Sequence, residues 1–526
     1  MKNVIYLVIG CFLCISCGDF LKEYSKELTY ASSCKDLDEV MIGNGYMRSR
    51  NTTSTMSSSL ITKSELYYPW LFVMDDDIEE YATGTFNVTS EGPFTLMRPF
   101  YGWQKVPFQS VKGVPYDDPC WKKLYEHIGY LNVILSEIKE FTHESEEDIN
   151  RITGEAEFLR GAYYYLLVNM YAKPYVKATA ASDMGVPLNI TEKIEDKYFK
   201  RESLETIYKQ IVTDLTNAAN HLAGIEQPTI YRVNETTVRI LLSRVYLYMG
   251  EWALAEAESE KAIRLGCPLW DLNGFDMTET SESTGNLKQQ YMISSASPEV
   301  LFTQGMNVLN LLMYDGLTVG RFRVTDELLE LYAKYEAEGV TDLRREGYFS
   351  VSQKKNDCYF CRKNSVLSQD ITAFDAFVIR SAEAYLNKAE AQAMQGKGEA
   401  VQTLKVLLEK RFENGVVPVT IDGLQGENLV KFVREERRRE LCFECHRWFD
   451  LRRYAVCEKY PERKEIRHAL YGPSTVFGGV AVYEGEYLLK PYGEDAAWVM
   501  PIPDYEITYN KGEMKPNEER VDREVL

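Results

Sequence analysis

Apolar residues recur at spacings of three and four through most of the chain, and that period predicts helices. From Trp121 to Phe141 the repeat is carried by Leu124, Ile128, Leu131 and Leu135, and over 147–171 by Phe158, Ala162, Tyr165 and Leu166. The polar link HESEEDIN between them has the length of an antiparallel helix connection. The rhythm returns at 203–222 with 234–249, from Trp252 to Leu265, and at 375–395 with 398–412. These read as tetratricopeptide-like pairs. Small residues from Tyr248 to Ala255 and from Ala389 to Ala391 allow close packing, and Gly250 and Gly396 stand where helices should end. Their spacing is too irregular for a free-standing repeat array.

Residues 433–455, VREERRRELCFECHRWFDLRRYA, combine the densest charge with an uninterrupted helical pattern. Leu441, Cys445 and Trp448 fall at i, i+4 and i+7, with Cys442 and Phe449 beside them. The arginines alternate with Glu435, Glu436, Glu440, Glu444 and Asp450, which permits i, i+4 pairing and bidentate contacts. One amphipathic helix that ties packed layers together through ion pairs is expected here.

Two stretches lack the period. Residues 44–118 and 267–322 carry Ser/Thr-rich runs, proline turns and unpatterned aromatics, and loops this long in a folded chain usually serve function. The segment 470–526, with Gly479, Val480, Val482, Tyr483, Pro491, Pro501 and Pro503, predicts irregular structure and a small hairpin wrapped on the helices. The fold class is therefore mostly α: tetratricopeptide-like helical pairs, long irregular aromatic loops and a small irregular or β C-terminal part.

A net charge of -19 removes the basic footprint that nucleic acid or anionic lipid headgroups require. Tyrosine, at 36 residues, outnumbers phenylalanine at 22, which suits surfaces that meet polar ligands. At the N-terminus, Lys2 precedes the apolar run Val4 to Leu13, and Ser16 stands directly before Cys17. This predicts a signal peptide over 1–16. It resembles a bacterial lipobox, with Cys14 where that pattern prefers leucine, and the resemblance implies acylation of Cys17. No later run reaches the ~18 apolar residues of a membrane span, so acyl chains are the expected anchor.

Cys34, Cys120, Cys267, Cys358, Cys361, Cys442, Cys445 and Cys457 remain after that assignment. An extracytoplasmic location permits disulfides. Cys358-x-x-Cys361 and Cys442-x-x-Cys445 have the spacing of half-sites for zinc, and Cys442-x-x-Cys445-His446 spells a c-type haem motif. Both are set below a plain packing role, because the motif lies inside a helical pattern and nothing joins the two pairs. No metal or cofactor is predicted.

Taken together, ERRRELCFECHRWFDLRRY, WVMPIPDYEITYN at 498–510 and RITGEAEFLRGAYYYLLVNMY at 151–171 resemble the SusD/RagB family of outer-membrane nutrient-binding lipoproteins of Bacteroidetes-type bacteria. The resemblance extends over 120–171, 234–265, 375–413 and 433–510, and fades over 44–118 and 267–375. It implies one body over 17–526, with an N-terminal segment 18–225 and a C-terminal segment 226–526. It also implies surface capture of a glycan, or of a peptide as RagB-like members do, and delivery to a SusC-type TonB-dependent barrel in the outer membrane.

Ligand contacts are expected in the aperiodic stretches. Trp121, Trp252, Trp448 and Trp498 fall in stretches that resemble the family, which leaves Trp70, Trp103 and Trp270 to stack on sugar rings. Tyr67, Tyr68, Trp70, Asp75, Asp76 and Trp103 supply aromatic faces and carboxylates in the first stretch, with Trp270 and Tyr291 from the second. The bland alternative is that these aromatics pin loops to the body. A glycosidase would look to Asp75-Asp76-Asp77 and Glu79-Glu80 for its acid and base, but no hydrolase, zinc-protease, phosphate-loop or dinucleotide motif accompanies them. The expected class is a binding protein without a catalytic residue. A helical-repeat scaffold that binds only protein stays open as the alternative.

Overall fold

The computed structural model describes residues 31–49, 66–81, 92–282, 285–313, 321–352, 358–367, 370–473 and 481–526, so Cys17 lies outside the described residues. Two short helices, α1 (Cys34–Val40) and α2 (Pro93–Tyr101), precede five long ones. These are α3 (Pro119–Glu137), α4 (Glu146–Tyr171), α5 (Leu204–His221), α6 (Glu235–Met249) and α7 (Trp252–Gly266). Each of the first four begins at a side-chain cap: Asp118, Ser145, Ser203 and Asn234 accept backbone N–H bonds from the first turn of α3, α4, α5 and α6. Gly250, at φ 74°, turns the chain from α6 into α7 through the left-handed region that glycine enters without penalty.

Along the chain come α8 (Asp326–Ala333), α9 (Arg344–Tyr348), α10 (Ser381–Met394), α11 (Glu399–Leu408), α12 (Gly426–Leu441), α13 (Arg447–Ala455) and α14 (Asp504–Tyr509). Consecutive helices from α3 to α7 pack side by side, and α10 then packs against α7, with α11 and α12 against α10. The helical array thus resumes after an insertion of more than a hundred residues, as the paired apolar periods imply. The predicted helix over 375–395 starts later than expected, because Phe377–Arg380 form a strand that pairs with Val300–Gln304. α4 is buried on nearly all sides. A Cβ at its Gly154 would stand 2.6 Å from Leu222 Cγ, so glycine is what lets the α4 and α5 segments approach.

The strands are β1 (Ile78–Tyr81), β2 (Glu279–Glu282), β3 (Gly285–Lys288), β4 (Val300–Gln304), β5 (Arg321–Val324), β6 (Phe349–Val351), β7 (Tyr359–Cys361), β8 (Phe377–Arg380), β9 (Ile466–Gly472) and β10 (Val482–Leu489). They form antiparallel pairs β1–β5, β2–β3, β4–β8, β6–β7 and β9–β10. β9–β10 is the hairpin expected near the C-terminus, and Leu526 adds to its β10 edge by exchanging two backbone bonds with Glu486.

The arginine-rich stretch is not one helix. α12 stops at Leu441, and the chain passes through Phe443 (φ 59°) and Cys445 (φ 60°) before α13 begins at Arg447. The break re-aims its charges, and they turn inward. Glu440 accepts from Arg411 at 2.9 Å, from Tyr348 Oη at 2.9 Å, and from Arg344 and Arg380 at 3.2 Å, and the four charged side chains are fully buried. Arg380 also pairs with Glu444 at 2.7 Å and Glu299 at 2.8 Å, and Arg411 with Glu299 at 2.7 Å. A second layer joins α12, α13 and α10: Arg437 to Asp450 at 2.8 Å, and Arg453 to Asp450 at 2.7 Å and Glu390 at 2.6 Å.

Burial disfavours the charged carboxylates, but Arg411, Arg380 and Arg344 outweigh it and hold Glu440 well below the usual range. Glu444, Glu436 and Glu390 are lowered for the same reason by their own cations, again against desolvation. The folded state therefore binds fewer protons at these sites than the unfolded chain, whose glutamates titrate near about 4.3. Their contribution is complete above that pH and is lost as pH falls below it. Chemical denaturation at neutral and acid pH checks this. Stability should fall steeply below about pH 4, and Glu440→Gln should cost about 3–5 kcal/mol at pH 7 by stranding buried guanidinium charge while flattening the acid decline. An unchanged acid profile in Glu440→Gln would show that this lattice does not govern it.

Candidate ligand-binding site

The ion lattice reaches outward to a cleft of about 610 Å³ between the Trp270 loop, the β2–β3 hairpin and the segments around 290–296 and 367–372. Its volume is in the range of about 300–1,000 Å³ typical of ligand sites. Trp270 is clamped through its backbone: its N–H donates to Glu299 at 2.8 Å, and its carbonyl accepts from Arg411 at 2.7 Å. Both partners belong to the Glu440 lattice. The indole packs edge-on to Phe275 at 4.8 Å and is half-buried, and its N–H has no partner among the described residues. The ring is thereby anchored against the core while part of it lines the cleft.

The opposite wall is tied to the same charges. Lys363, fully buried, donates from Nζ to the carbonyls of Glu440 (2.6 Å) and Cys442 (3.0 Å) and to Glu444 (2.8 Å). Its carbonyl accepts from Ile293 N–H at 2.7 Å, which fixes the segment that carries Tyr291, Ser294 and Ser295. Tyr291 Oη accepts from Lys288 N–H at 3.1 Å, and desolvation of its largely buried ring raises the phenol above its ordinary value. Ser295 N–H donates to Thr372 Oγ1 at 2.9 Å, and Tyr231 Oη donates to the Thr372 carbonyl at 2.6 Å. Gln290 accepts from Asp276 N–H at 2.9 Å and keeps its amide hydrogens for other partners, beside the exposed Gln289 and Asp370. The chemistry on offer is an aromatic face flanked by amides, hydroxyls and one carboxylate.

Trp270 and Tyr291 thus line one cleft, but Tyr291 is 9% exposed, which leaves the half-buried Trp270 as its stacking surface. The six candidates from the first stretch are not with them, and their burial removes them as stacking surfaces. Tyr67 bonds His127 at 2.8 Å, and Tyr68 donates to the Ala376 carbonyl at 3.1 Å. Trp70 stacks on Phe100 at 5.3 Å and is 2% exposed. Trp103, with no exposed surface, donates to the Met74 carbonyl at 3.0 Å and stacks on His468 at 4.2 Å. Asp76 is held by Arg447 at 2.7 Å, Lys464 at 2.6 Å and Arg438 at 3.1 Å. Asp75 accepts from Asp77 N–H at 3.1 Å, and desolvation beside Asp77 and Asp76 pushes its carboxyl well above the usual range. The bland alternative describes these six: they pin the stretch to the core.

The acidic run Asp75-Asp76-Asp77 brings its carboxylates within 4.8 Å of one another, but the cations Arg438, Arg447 and Lys464 already occupy its interior side. It offers neither a vacant cation site nor a free acid and base pair. The thiols are equally committed. Cys442 contacts Tyr332 Oη at 3.4 Å, desolvation pushes its thiol up to about 11 and that of Cys361 higher still, and among the described residues the cysteines form no cluster with metal-ligand spacing.

A family model described as "SusD family" matches residues 346–519, and one described as "Starch-binding associating with outer membrane" matches residues 53–247. The chain belongs to the SusD family. Among curated relatives, SusD-like protein P2 of Formosa agariphila is 23% identical over 442 residues, 76% of this chain and 79% of the relative. A putative sugar binding protein of Bacteroides vulgatus superposes with a TM-score of 0.67 at 22% identity, covering 94% of this chain and all of that one. A SusD-like carbohydrate binding protein of the same species gives 0.65 at 18%, covering 91% and 97%. These SusD-family structures share the mostly helical fold.

The two family matches leave a gap from 248 to 345. Most of the described cleft lining, from Trp270 to Ala296, falls in that gap. A second groove of about 550 Å³, with Pro107, Pro115, Pro501 and Pro503 in its walls, is built almost wholly from matched segments. Most of the cleft lining therefore comes from the segment between the two family matches, with Leu367, Asp370 and Thr372 added from the second matched range.

The sequence pointed to Trp270 and Tyr291 as aromatics in an aperiodic stretch, and Gln289-Gln290 beside Tyr291 was a legible polar signal. Asp370 and Thr372 carried none, because they arrive from a segment about 80 residues away in the chain. The contrast between the two groups of aromatics is measurable. Trp70→Ala should destabilise the fold by about 3–5 kcal/mol, whereas Trp270→Ala, which removes a ring on the surface of a cleft, should cost well under half of that. Denaturation midpoints of the two variants decide it, and equal losses would mean that Trp270 is core.

Proposed function

We propose that this SusD-family chain captures a glycan at the cell surface in the cleft lined by Trp270 and Tyr291 and hands it to a SusC-type TonB-dependent barrel, with Cys17 as its acylated anchor in the outer membrane. The observation that carries the reading is the anchored, half-buried indole of Trp270 in a cleft lined by amides and hydroxyls, since aromatic faces stack on the C–H face of sugar rings while such groups bond the hydroxyls. The description of one matching family model as starch-binding and outer-membrane-associated supports it, as do the sugar-binding and carbohydrate-binding names of two structural neighbours. No described helix is long and apolar enough to cross a membrane, which leaves the lipobox-like Cys17 as the anchor this reading requires.

Binding without turnover is the expected activity. Within the acidic run that a glycosidase would use, Asp76 and Asp77 are paired with arginine and lysine and Asp75 is buried beside them, and the cleft holds one exposed carboxylate, Asp370, among the described residues. A glycan and peptide array on residues 18–526, followed by calorimetry, tests the reading. The expected result is a glycan ligand, recovered unchanged, whose affinity falls about tenfold or more in Trp270→Ala. A peptide as the tightest ligand would move the protein to the RagB-like alternative, and products in the recovered glycan would make it an enzyme. Cys17→Ala should release the protein from membranes, and wild-type protein in mild detergent should bring down a SusC-like barrel. Recovery of neither a barrel nor any small ligand would overturn the assignment.

A further inference from the structure

The charge of the cleft carries a further conclusion, which rests on its reading as the glycan site. Two described lining residues bear charge, Lys288 and Asp370. The β2–β3 register sets Glu279 across from Lys288, and the ammonium pairs with that carboxylate at 2.8 Å while donating to the Glu346 carbonyl at 2.6 Å. With 1% of its side chain exposed, Lys288 is spent inside the wall. Asp370 is its opposite. It is exposed, and the bond recorded for it is made by its backbone N–H to the Leu367 carbonyl. The rest of the polar lining is neutral: Thr280, Gln289, Gln290, Ser294, Ser295 and Thr372.

Such a surface treats two classes of glycan differently. A sulfate or uronate entering the cleft would lose water and needs guanidinium, ammonium or clustered N–H groups in exchange. The described lining offers it no unspent cation and one carboxylate, and the chain as a whole carries -19. Sugar hydroxyls meet a matched set instead: the Gln289 amide and the Thr280 and Ser295 hydroxyls both donate and accept, the Gln290 amide hydrogens donate, and Asp370 accepts. We propose that this cleft selects neutral glycans and rejects sulfated and uronic ones, with Asp370 as the residue that enforces the exclusion.

The test screens the full mature chain by calorimetry against neutral oligosaccharides from starch, β-1,3-glucan, xylan and mannan, and against alginate, homogalacturonan, chondroitin sulfate and dextran sulfate fragments. Trp270→Ala, checked by its melting curve, and the exposed Gln289→Ala report whether a ligand occupies the cleft. The expected outcome is a neutral ligand weakened by both variants and little affected by ionic strength, with anionic fragments at least about tenfold weaker. Asp370→Lys should then narrow that gap by strengthening the anionic fragments. A sulfated or uronic ligand that binds tightest and is lost in Trp270→Ala would overturn the charge proposal and leave the glycan reading standing. An undiminished gap in Asp370→Lys would also overturn it. Absence of any glycan binding, or a best ligand indifferent to both cleft variants, would instead defeat the reading of the cleft and this proposal with it.

Discussion

Glu440 lies in the dry interior with both carboxylate oxygens engaged, and three arginines from three different segments converge on it: Arg344 from α9, Arg380 from the end of β8 and Arg411 beyond α11. Moving ions out of water is costly, and the arrangement is tolerable only because each guanidinium has two or more carboxylates and the remaining lone pairs are satisfied, as by Tyr348 Oη. Loss of one partner leaves the others stranded. The lattice thus acts as a coincidence requirement: α9, β8, α11 and α12 must all be in place before any of these charges is compensated. Its contribution is specificity of arrangement more than net stability, since a well-packed apolar substitute often does as well.

The same requirement explains how long, irregular segments come to present a defined surface. Loops lack a ladder of their own hydrogen bonds, so their backbone groups must find partners elsewhere. In this chain the partners are lattice members. Glu299 and Arg411 take the two backbone groups of Trp270, and Lys363 links the carbonyls at the end of α12 to Ile293. The arginine-rich stretch therefore contributes no residue to the described cleft lining, yet both walls depend on it. A scaffold anchored this way can keep its charged interior while the residues between the anchors change.

That separation matches the pattern of the family resemblance. The matched segments supply most of the helical array, α7 and α8 excepted, and the charged layer between α10, α12 and α13, and the segment between the matches supplies most of the cleft. Within the unmatched part, the β2–β3 hairpin divides two faces. Glu279 and Lys288 pair across it, and Thr280 opposite Leu287 lines the cleft. The ammonium of Lys288 is consumed by its cross-strand neighbour, so the charged groups that the cleft lining leaves exposed come down to Asp370 among the described residues.

The sequence by itself determined the helices, because the three-and-four apolar period and caps such as Asp118, Ser145, Ser203 and Asn234 are local properties that need no distant partner. It also determined that the arginine-rich stretch pairs with carboxylates, since both signs are interleaved within a few turns. It did not reveal the break between α12 and α13, because the apolar spacing from Leu441 to Trp448 runs through the left-handed Phe443 and Cys445, whose conformation is imposed by the charges packed around them. Nor did it separate Trp70 and Trp103 from Trp270. All three occur in aperiodic stretches with tyrosines and acids nearby, and exposure is a property of what packs against a ring. The hairpin β9–β10 and α2 close over Trp103 and Trp70 through His468 and Phe100, whereas Trp270 packs on Phe275 and the core edge and stays partly exposed. Those neighbours come from sequence separations that local patterning cannot see, so the tertiary structure alone decided which aromatic became core and which became a wall of the cleft.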